Sequence, residues 1–231
     1  MAITIKKVTT RRELERFIRF NYLLYKNNPY SVPDLFDDML NTFNKKKNAA
    51  FEFCEADYFL AYREGKIVGR VAAIINHKAN ERWNCKSVRF GWIDFIDDRE
   101  VSKALLQAVE DYGKSKGMDN VVGPLGFTDM DPEGMLTWGF DQLGTMPTIY
   151  NYSYYPEHIE ALDGYEVDNK YVEYKLIVPD TVPEKYAKIA AMIEKRYNLH
   201  VRKLTKKDVF QGGYGQKIFE LINATYKDLY G

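Results

Sequence analysis

Residues 58–76, YFLAYREGKIVGRVAAIIN, hold two strand-like runs joined by Arg63-Glu64-Gly65-Lys66. A glycine in a short polar break between β-rich runs is a hairpin signal, so an antiparallel pair is predicted here. A third run, SVRFGWIDFID at 87–97, reads as a buried strand and passes straight into Asp98-Arg99-Glu100-Val101-Ser102, which opens a helix. From Val101 the apolar residues Ala104, Leu105, Ala108, Val109 and Tyr112 recur at the spacing of an amphipathic helix, and Lys114, Lys116 and Gly117 suit its end. Hairpin, strand and two-sided helix in that order commit the chain to packed layers of sheet and helix.

The flanking segments extend the pattern. Residues 3–8 alternate as a short strand, and Thr9 or Thr10 can cap a helix with Leu14, Phe17, Ile18, Leu24 and Tyr25 on its apolar side. Beyond the Val101 helix, residues 120–125 read as a strand, and Asp131-Pro132-Glu133 as a helix start with aspartate as cap. A further strand is expected around 148–152, a short helix at 155–162 closed near Gly164, and a final alternating strand at 170–178. The order is strand, helix, hairpin plus strand, helix, strand, helix, strand, a mixed α/β arrangement.

After Pro179 and Pro183 a helix is predicted from Glu184 to about Tyr197, and then the chain reads as though it begins again. HVRKLTKKD at 200–208 parallels TIKKVTTRR at 4–12, and IFELINATYKDL at 218–229 parallels FIRFNYLLYKNN at 17–28, including Tyr226-Lys227 against Tyr25-Lys26. The two alignments differ by five residues, which Gln211-Gly212-Gly213-Tyr214-Gly215 can absorb. Such similarity over a domain-sized interval marks a duplicated unit. The expected organisation is one domain over 1–178, then a linker helix and the opening of a second unit over 179–231. An uncovered second-unit helix face at Ile218, Phe219, Leu221 and Ile222 is expected to pack on the first unit or to form a homodimer.

Composition excludes several partners. Lysine plus arginine equals aspartate plus glutamate, 33 of each, so no global field draws the chain to nucleic acid or to an anionic membrane. The cluster Lys45-Lys46-Lys47 lies among asparagines and reads as a solvated loop. Cys54 and Cys85 lack C-x-x-C spacing and a histidine to complete a zinc site, so reduced thiols and no metal are expected. No stretch reaches the roughly 20 apolar residues that span a bilayer, and the first residues lack a signal peptide's apolar run, so a cytoplasmic protein is expected.

The order of elements and the segments FEFCEADYFLAYREGKIVGR, VRFGWIDFIDD, GPLGFTDMDPEG and NYSYYPEHIEALDGYEV resemble the GNAT superfamily of acyl-CoA N-acyltransferases, and more narrowly a group of bacterial tandem-GNAT proteins. The resemblance covers residues 3–178. It implies a mixed, mostly antiparallel central sheet flanked by helices. It also implies acetyl-CoA or another acyl-CoA as co-substrate, and a small-molecule or peptide amine as acceptor. Carried onto this chain, Phe95, Ile96 and Asp97 would offer backbone groups to the pantetheine. Asp98 to Ser102, with Arg99, Val101 and Ser102, would form the pyrophosphate loop. Tyr154 and Tyr155 in the late helix would be the candidate acids for the leaving thiolate.

The residues leave alternatives open. The loop lacks paired glycines and only Arg99 is basic, so Asp98 also reads as a cap that uses the donors a pyrophosphate would take. Tyr154 and Tyr155 also read as cleft packing. Asp129 is the candidate substrate carboxylate, or a turn residue. The histidines at 77, 158 and 200 stand apart in sequence and suggest no triad. Three functions follow: an acyl-CoA-dependent N-acyltransferase, with acetyl the expected group and an amine the acceptor, a non-catalytic module packed against an active second unit, or transfer from an aminoacyl-tRNA, against which the neutral charge argues.

Overall fold

The predicted hairpin is the spine of the sheet. β2 (Cys54–Arg63) and β3 (Lys66–Asn76) pair antiparallel around Glu64 and Gly65, whose φ angles are 52° and 76°. A two-residue turn with both centres left-handed matches the twist of its strands, and glycine takes the second position without steric cost. The computed structural model describes residues 2–229. β1 (Thr4–Lys7) flanks β2 and β4 (Ser87–Phe95) flanks β3, both antiparallel, while β5 (Asn120–Val122) joins β4 in parallel. The strand order is β1-β2-β3-β4-β5, so the sheet is mixed and mostly antiparallel, with helices on both faces, as expected.

β3 is covered on both sides, which is why its sequence is nearly unbroken apolar. On one face Val71, Ala73 and Ile75, with Val88, Phe90 and Phe95 of β4, pack against Val101, Leu105, Leu106 and Val109 of the long helix whose periodicity was evident in sequence. On the other, Ala56, Tyr58, Leu60, Ala72 and Ile74 lie with Phe17, Ile18 and Phe43. In chain order the helices of this unit are α1 (Arg11–Leu24), α2 (Phe36–Thr42), α3 (His77–Trp83), α4 (Arg99–Ser115) and α5 (Tyr154–Glu160). Neither α2 nor α3 was expected; α3 begins where the Asn76 side chain accepts from the Ala79 N–H at 2.9 Å.

Thr10 caps α1, and Glu13 answers it. Glu13 N–H donates to Thr10 Oγ1 at 3.2 Å, while Glu13 Oε2 accepts from the Thr9 and Thr10 N–H groups at 2.9 Å each. Those backbone bonds, with the two threonine hydroxyls, hold the Glu13 carboxyl from 4.5 down to about 2. A depressed folded-state value stabilises fully above 4.5 and is lost as pH falls toward 2. Glu13→Gln is therefore expected to lower the urea midpoint at pH 7, and its deficit against the parent should shrink as pH is taken down through that window.

Three expected elements are absent. No helix starts at Asp131: its carboxylate accepts from the Phe127 and Thr128 N–H groups at 2.8 and 3.2 Å, fastening a turn. No strand forms at 148–152, where side chains take over from a ladder: Asn151 Oδ1 accepts from Leu136 N–H, Tyr150 donates to the Phe140 carbonyl and Tyr152 to the Leu24 carbonyl. Residues 170–178 form no strand either. β-prone side chains do not make a strand without a neighbouring edge to satisfy their backbone.

The chain divides into two compact units, one ending at Asn169 and the other starting at Lys170. The second holds α6 (Glu184–Tyr197), where a helix was predicted, then α7 (Lys206–Phe210) and α8 (Tyr214–Tyr226). None of its described residues is buried.

Candidate functional site

The site grows from an irregularity in β4. Arg70 pairs with Asp94 and Ala72 with Gly91, so Trp92 and Ile93 share the one intervening position of β3. This bulge puts Trp92 at φ 44°, an outlier for a bulky side chain, and its buried indole N–H has no hydrogen-bond partner. A side chain at Gly91 would meet the Leu125 carbonyl at 2.4 Å, so glycine is required there. β4 pairs with β5 only through Ser87–Asn120, Val88–Val121 and Arg89–Val122. Leu125 N–H still reaches the Phe90 carbonyl at 2.9 Å. Beyond it, the end of β4 faces α5 instead of a strand.

The backbone groups assigned to a pantetheine are engaged there by phenols. Phe95 N–H donates to Tyr155 Oη at 3.0 Å, and Tyr154 Oη donates to the Phe95 carbonyl at 2.7 Å. Ile96 N–H is held by the Val68 carbonyl at 3.1 Å. The Tyr155 ring stacks on Phe95 with centroids 4.2 Å apart. Burial raises the pKa of both tyrosines, so both are neutral at physiological pH. Tyr155 is wholly buried, whereas Tyr154 is partly buried.

Three residues that looked unrelated in sequence meet at the start of α4. His158, buried on α5, lies with Nε2 3.1 Å from Asp97 Oδ1 and Nδ1 3.2 Å from Ser102 Oγ. The expectation that His158 stands alone is thus corrected. The order carboxylate, imidazole, hydroxyl is that of a hydrolase triad, yet Ser102 is 0% exposed and also donates to the Arg99 carbonyl at 3.2 Å. Here the chain is a brace between α5 and the β4–α4 junction.

The N-terminus of α4 is acidic, as read. Asp98 accepts from the Glu100 N–H at 2.9 Å, confirming it as the cap. Arg63 reaches across from β2 to Asp98 at 2.5 Å and to Glu100 at 3.1 Å, and holds the Asp98 carboxyl below the usual range. The Val101 and Ser102 N–H groups donate to the Asp98 carbonyl, and the Val101 side chain is in the core. Arg99 is exposed.

Beneath Tyr155 lies a network that sequence reading missed. Asp94, 4% exposed, accepts from Arg70 Nε at 2.7 Å, Asn21 Nδ2 at 3.0 Å and Tyr155 Oη at 3.2 Å. Tyr155 in turn accepts from Tyr25 Oη at 3.0 Å. Asp34, half-buried near this pair, has its pKa raised by burial, with Asp94 adding repulsion against the pull of Arg70. A signal did exist: a lone arginine inside the apolar run of β3 and an aspartate inside β4, on neighbouring strands. Asp129 is not part of this arrangement; it is exposed, and its charge acts on Asp131.

No family model matches the chain. It is 32% identical over 161 residues to protein YghO of Escherichia coli (strain K12), covering 70% of this chain and 41% of that protein. It is 32% identical over 140 residues to the bacterial ceramide synthase of Caulobacter vibrioides, covering 60% of this chain and 36% of that protein. The chain thus spans about two-fifths of the length of these relatives. Among solved structures, an aminoglycoside acetyltransferase from an uncultured soil metagenomic sample, bound to sisomicin, superposes with a TM-score of 0.44 at 13% identity, covering 77% of this chain and 97% of its own.

Proposed function

We propose that this chain, a GNAT-type fold by the order and pairing of its strands, belongs to an N-acyltransferase that moves an acyl group from acyl-CoA to an amine. The parting of β4 from β5 beyond the Trp92 bulge carries this reading. At the parted end, the Phe95 N–H and carbonyl are held by side-chain hydroxyls. The Tyr154 phenol can exchange for an amide of a pantetheine without dismantling a sheet, since the lost bond to the Phe95 carbonyl is replaced by another of the same kind, while Tyr155 stays as the anchor of the strand end.

In this reading Phe95 and Asp97 take the carrier's amides while Ile96, whose N–H stays on the Val68 carbonyl, keeps the strand end in the sheet, and Arg99 at the start of α4 meets the phosphates. A neutral amine attacks the thioester carbonyl, the C–N bond forms as C–S breaks, the departing thiolate takes the phenolic proton of Tyr154, and the proton shed by the attacking nitrogen returns through solvent to the phenolate. Tyr154, protonated at neutral pH and partly buried beside Phe95, is the assigned acid, with Tyr155 holding the strand end beneath it. Asp129, exposed and apart from the strand-end cluster, is proposed to meet the ammonium of an incoming acceptor, a small-molecule or peptide amine, before that amine loses its proton and attacks. Ceramides are N-acyl amides with long chains, so the name of the Caulobacter relative supports a long acyl group or an amphipathic amine over acetyl transfer to a sugar. The free thiols of Cys54 and Cys85 suit the cytoplasm, and among the described residues no helix is long and apolar enough to cross a membrane.

A second reading, a non-catalytic module serving an active unit, is favoured by one observation. The Asp98 carboxylate already sits on the first turn of α4 and engages Arg63, beside Glu100. Melting the protein with acetyl-CoA and with a long-chain acyl-CoA separates the two. A ligand at a hundredfold its dissociation constant adds about 2.7 kcal/mol of stability, a readily measured shift. No shift at millimolar concentration of either thioester would overturn the transferase reading. Arg99→Glu is expected to abolish an observed shift, and an unchanged shift would remove Arg99 from the phosphate site.

A further inference from the structure

The contacts of the Asp97–His158–Ser102 chain are all hydrogen bonds at once only when the imidazole is charged. Ser102 Oγ carries one proton and lies 3.2 Å from the Arg99 carbonyl, which only accepts. The same oxygen lies 3.2 Å from His158 Nδ1. With its proton on Arg99 the hydroxyl can only accept from the ring, so Nδ1 must carry a hydrogen. On the other side Nε2 lies 3.1 Å from Asp97 Oδ1, and an ionised carboxylate accepts only. Both ring nitrogens are then donors, which is the imidazolium form. A neutral ring with its hydrogen on Nε2 draws the Ser102 proton to Nδ1 and takes it from the Arg99 carbonyl. With the ring 4% and Ser102 0% exposed, solvent is kept from replacing the lost bond.

The charge of the junction turns on the same proton. Asp97, Asp98 and Glu100 bring three carboxylates to the start of α4, and Arg63 and Arg99 bring two guanidiniums. Arg63 takes Asp98 and Glu100, which leaves Asp97 to His158. The imidazolium makes the charges even; the neutral ring leaves the helix start negative, the wrong sign for a phosphate. Around the ring, the end of β4 presents Asp97 and stacks Phe95, α4 presents Ser102, and α5 presents Tyr154 one turn back, with Glu157 exposed beside it. Tyr154 stays neutral and the Asp97 side chain is open to water at 69% exposure, so the ring carries the proton that changes. We infer that His158 is a proton-operated latch on the first turn of α4. Protonated, it ties Ser102 to the Arg99 carbonyl and cancels the charge of Asp97. When one ring proton passes to solvent, the Ser102 hydroxyl swings to Nδ1 and the junction turns negative. His158 touches no reacting atom; it is a positioning residue for the turn that bears Arg99. The functional consequence, which rests on the acyl-CoA reading, is that affinity for the carrier falls as the ring loses its proton.

Nitrogen-15 spectra of the histidine rings in the full chain test the latch without any ligand. His77 and His200 are exposed, so His77→Gln and His200→Gln assign the remaining signals to His158 in a folded protein. The spectra are taken between about pH 5 and 8, where imidazoles change charge. His158 is expected to show two protonated nitrogens at the acid end and a hydrogen on Nε2 alone at the alkaline end. A ring that keeps one form throughout, neutral or charged, would overturn the inference. The second measurement is the dissociation constant for acetyl-CoA and for a long-chain acyl-CoA over the same range. It should rise about tenfold more in the parent than in His158→Gln, equivalent to about 1.4 kcal/mol. Parallel curves in parent and variant would overturn the inference as well. If neither thioester binds at any pH, the transferase reading falls, and the ring spectra alone decide the latch.

Discussion

Arg70→Met, with Asp94 left in place, is expected to cost the fold about 3–5 kcal/mol, the largest loss of any single substitution considered. The two side chains are 3% and 6% exposed and stand opposite each other in the β3–β4 register. Removing the guanidinium leaves a carboxylate in the interior with only Asn21 and Tyr155 as donors, and also frees the Phe17 carbonyl that Arg70 Nη1 satisfies at 3.1 Å. The cost is that of a buried uncompensated charge, which is why the double variant Arg70→Met/Asp94→Leu should recover most of it. Urea denaturation of the single and double variants at pH 7 measures both numbers. A single-variant loss below about 1 kcal/mol would mean that water reaches Asp94 and that the network is not the anchor of the strand end.

Tyr155→Phe is expected to cost about 2–3 kcal/mol, although it removes one oxygen atom. That oxygen accepts from the Phe95 N–H and from Tyr25, and donates to Asp94. Phenylalanine keeps the stack on Phe95, so the loss reports the hydroxyl alone. Tyr154→Phe is the comparison: its hydroxyl contacts the Phe95 carbonyl from a less buried position than Tyr155, where water can replace it, and a loss under about 1 kcal/mol is expected. Amide hydrogen exchange at Phe95, faster in the Tyr155 variant and unchanged in the Tyr154 variant, would assign the N–H to Tyr155 directly. Equal losses in the two variants would contradict the division of roles between an anchoring and an exchangeable phenol.

Much of the fold was legible because its causes are local. The Glu64-Gly65 turn, the caps at Thr10 and Asp98, and the apolar face of α4 each depend on residues within a few positions of one another, so composition and period suffice to find them. The misreadings share the opposite character. At 131–133 a cap-and-proline pair met a turn that used the carboxylate for other donors. At 170–178 a β-prone run forms no strand. Local preference proposes an element there, but hydrogen-bond partners from elsewhere decide it.

The candidate site divides in the same way. The strand-to-helix junction and its acidic sign were plain in Asp97, Asp98 and Glu100. That Arg70 and Asp94, 24 positions apart, would pair, and that His158 and Asp97, 61 apart, would meet, was not. By itself the sequence determined which segments turn, extend or coil, because those choices are made between neighbours. The tertiary structure alone decided that α5 lies along the parted end of β4 and satisfies it. Contacts between distant residues depend on sheet register and on where the irregular segment 123–153 delivers α5, and no pattern along the chain encodes either.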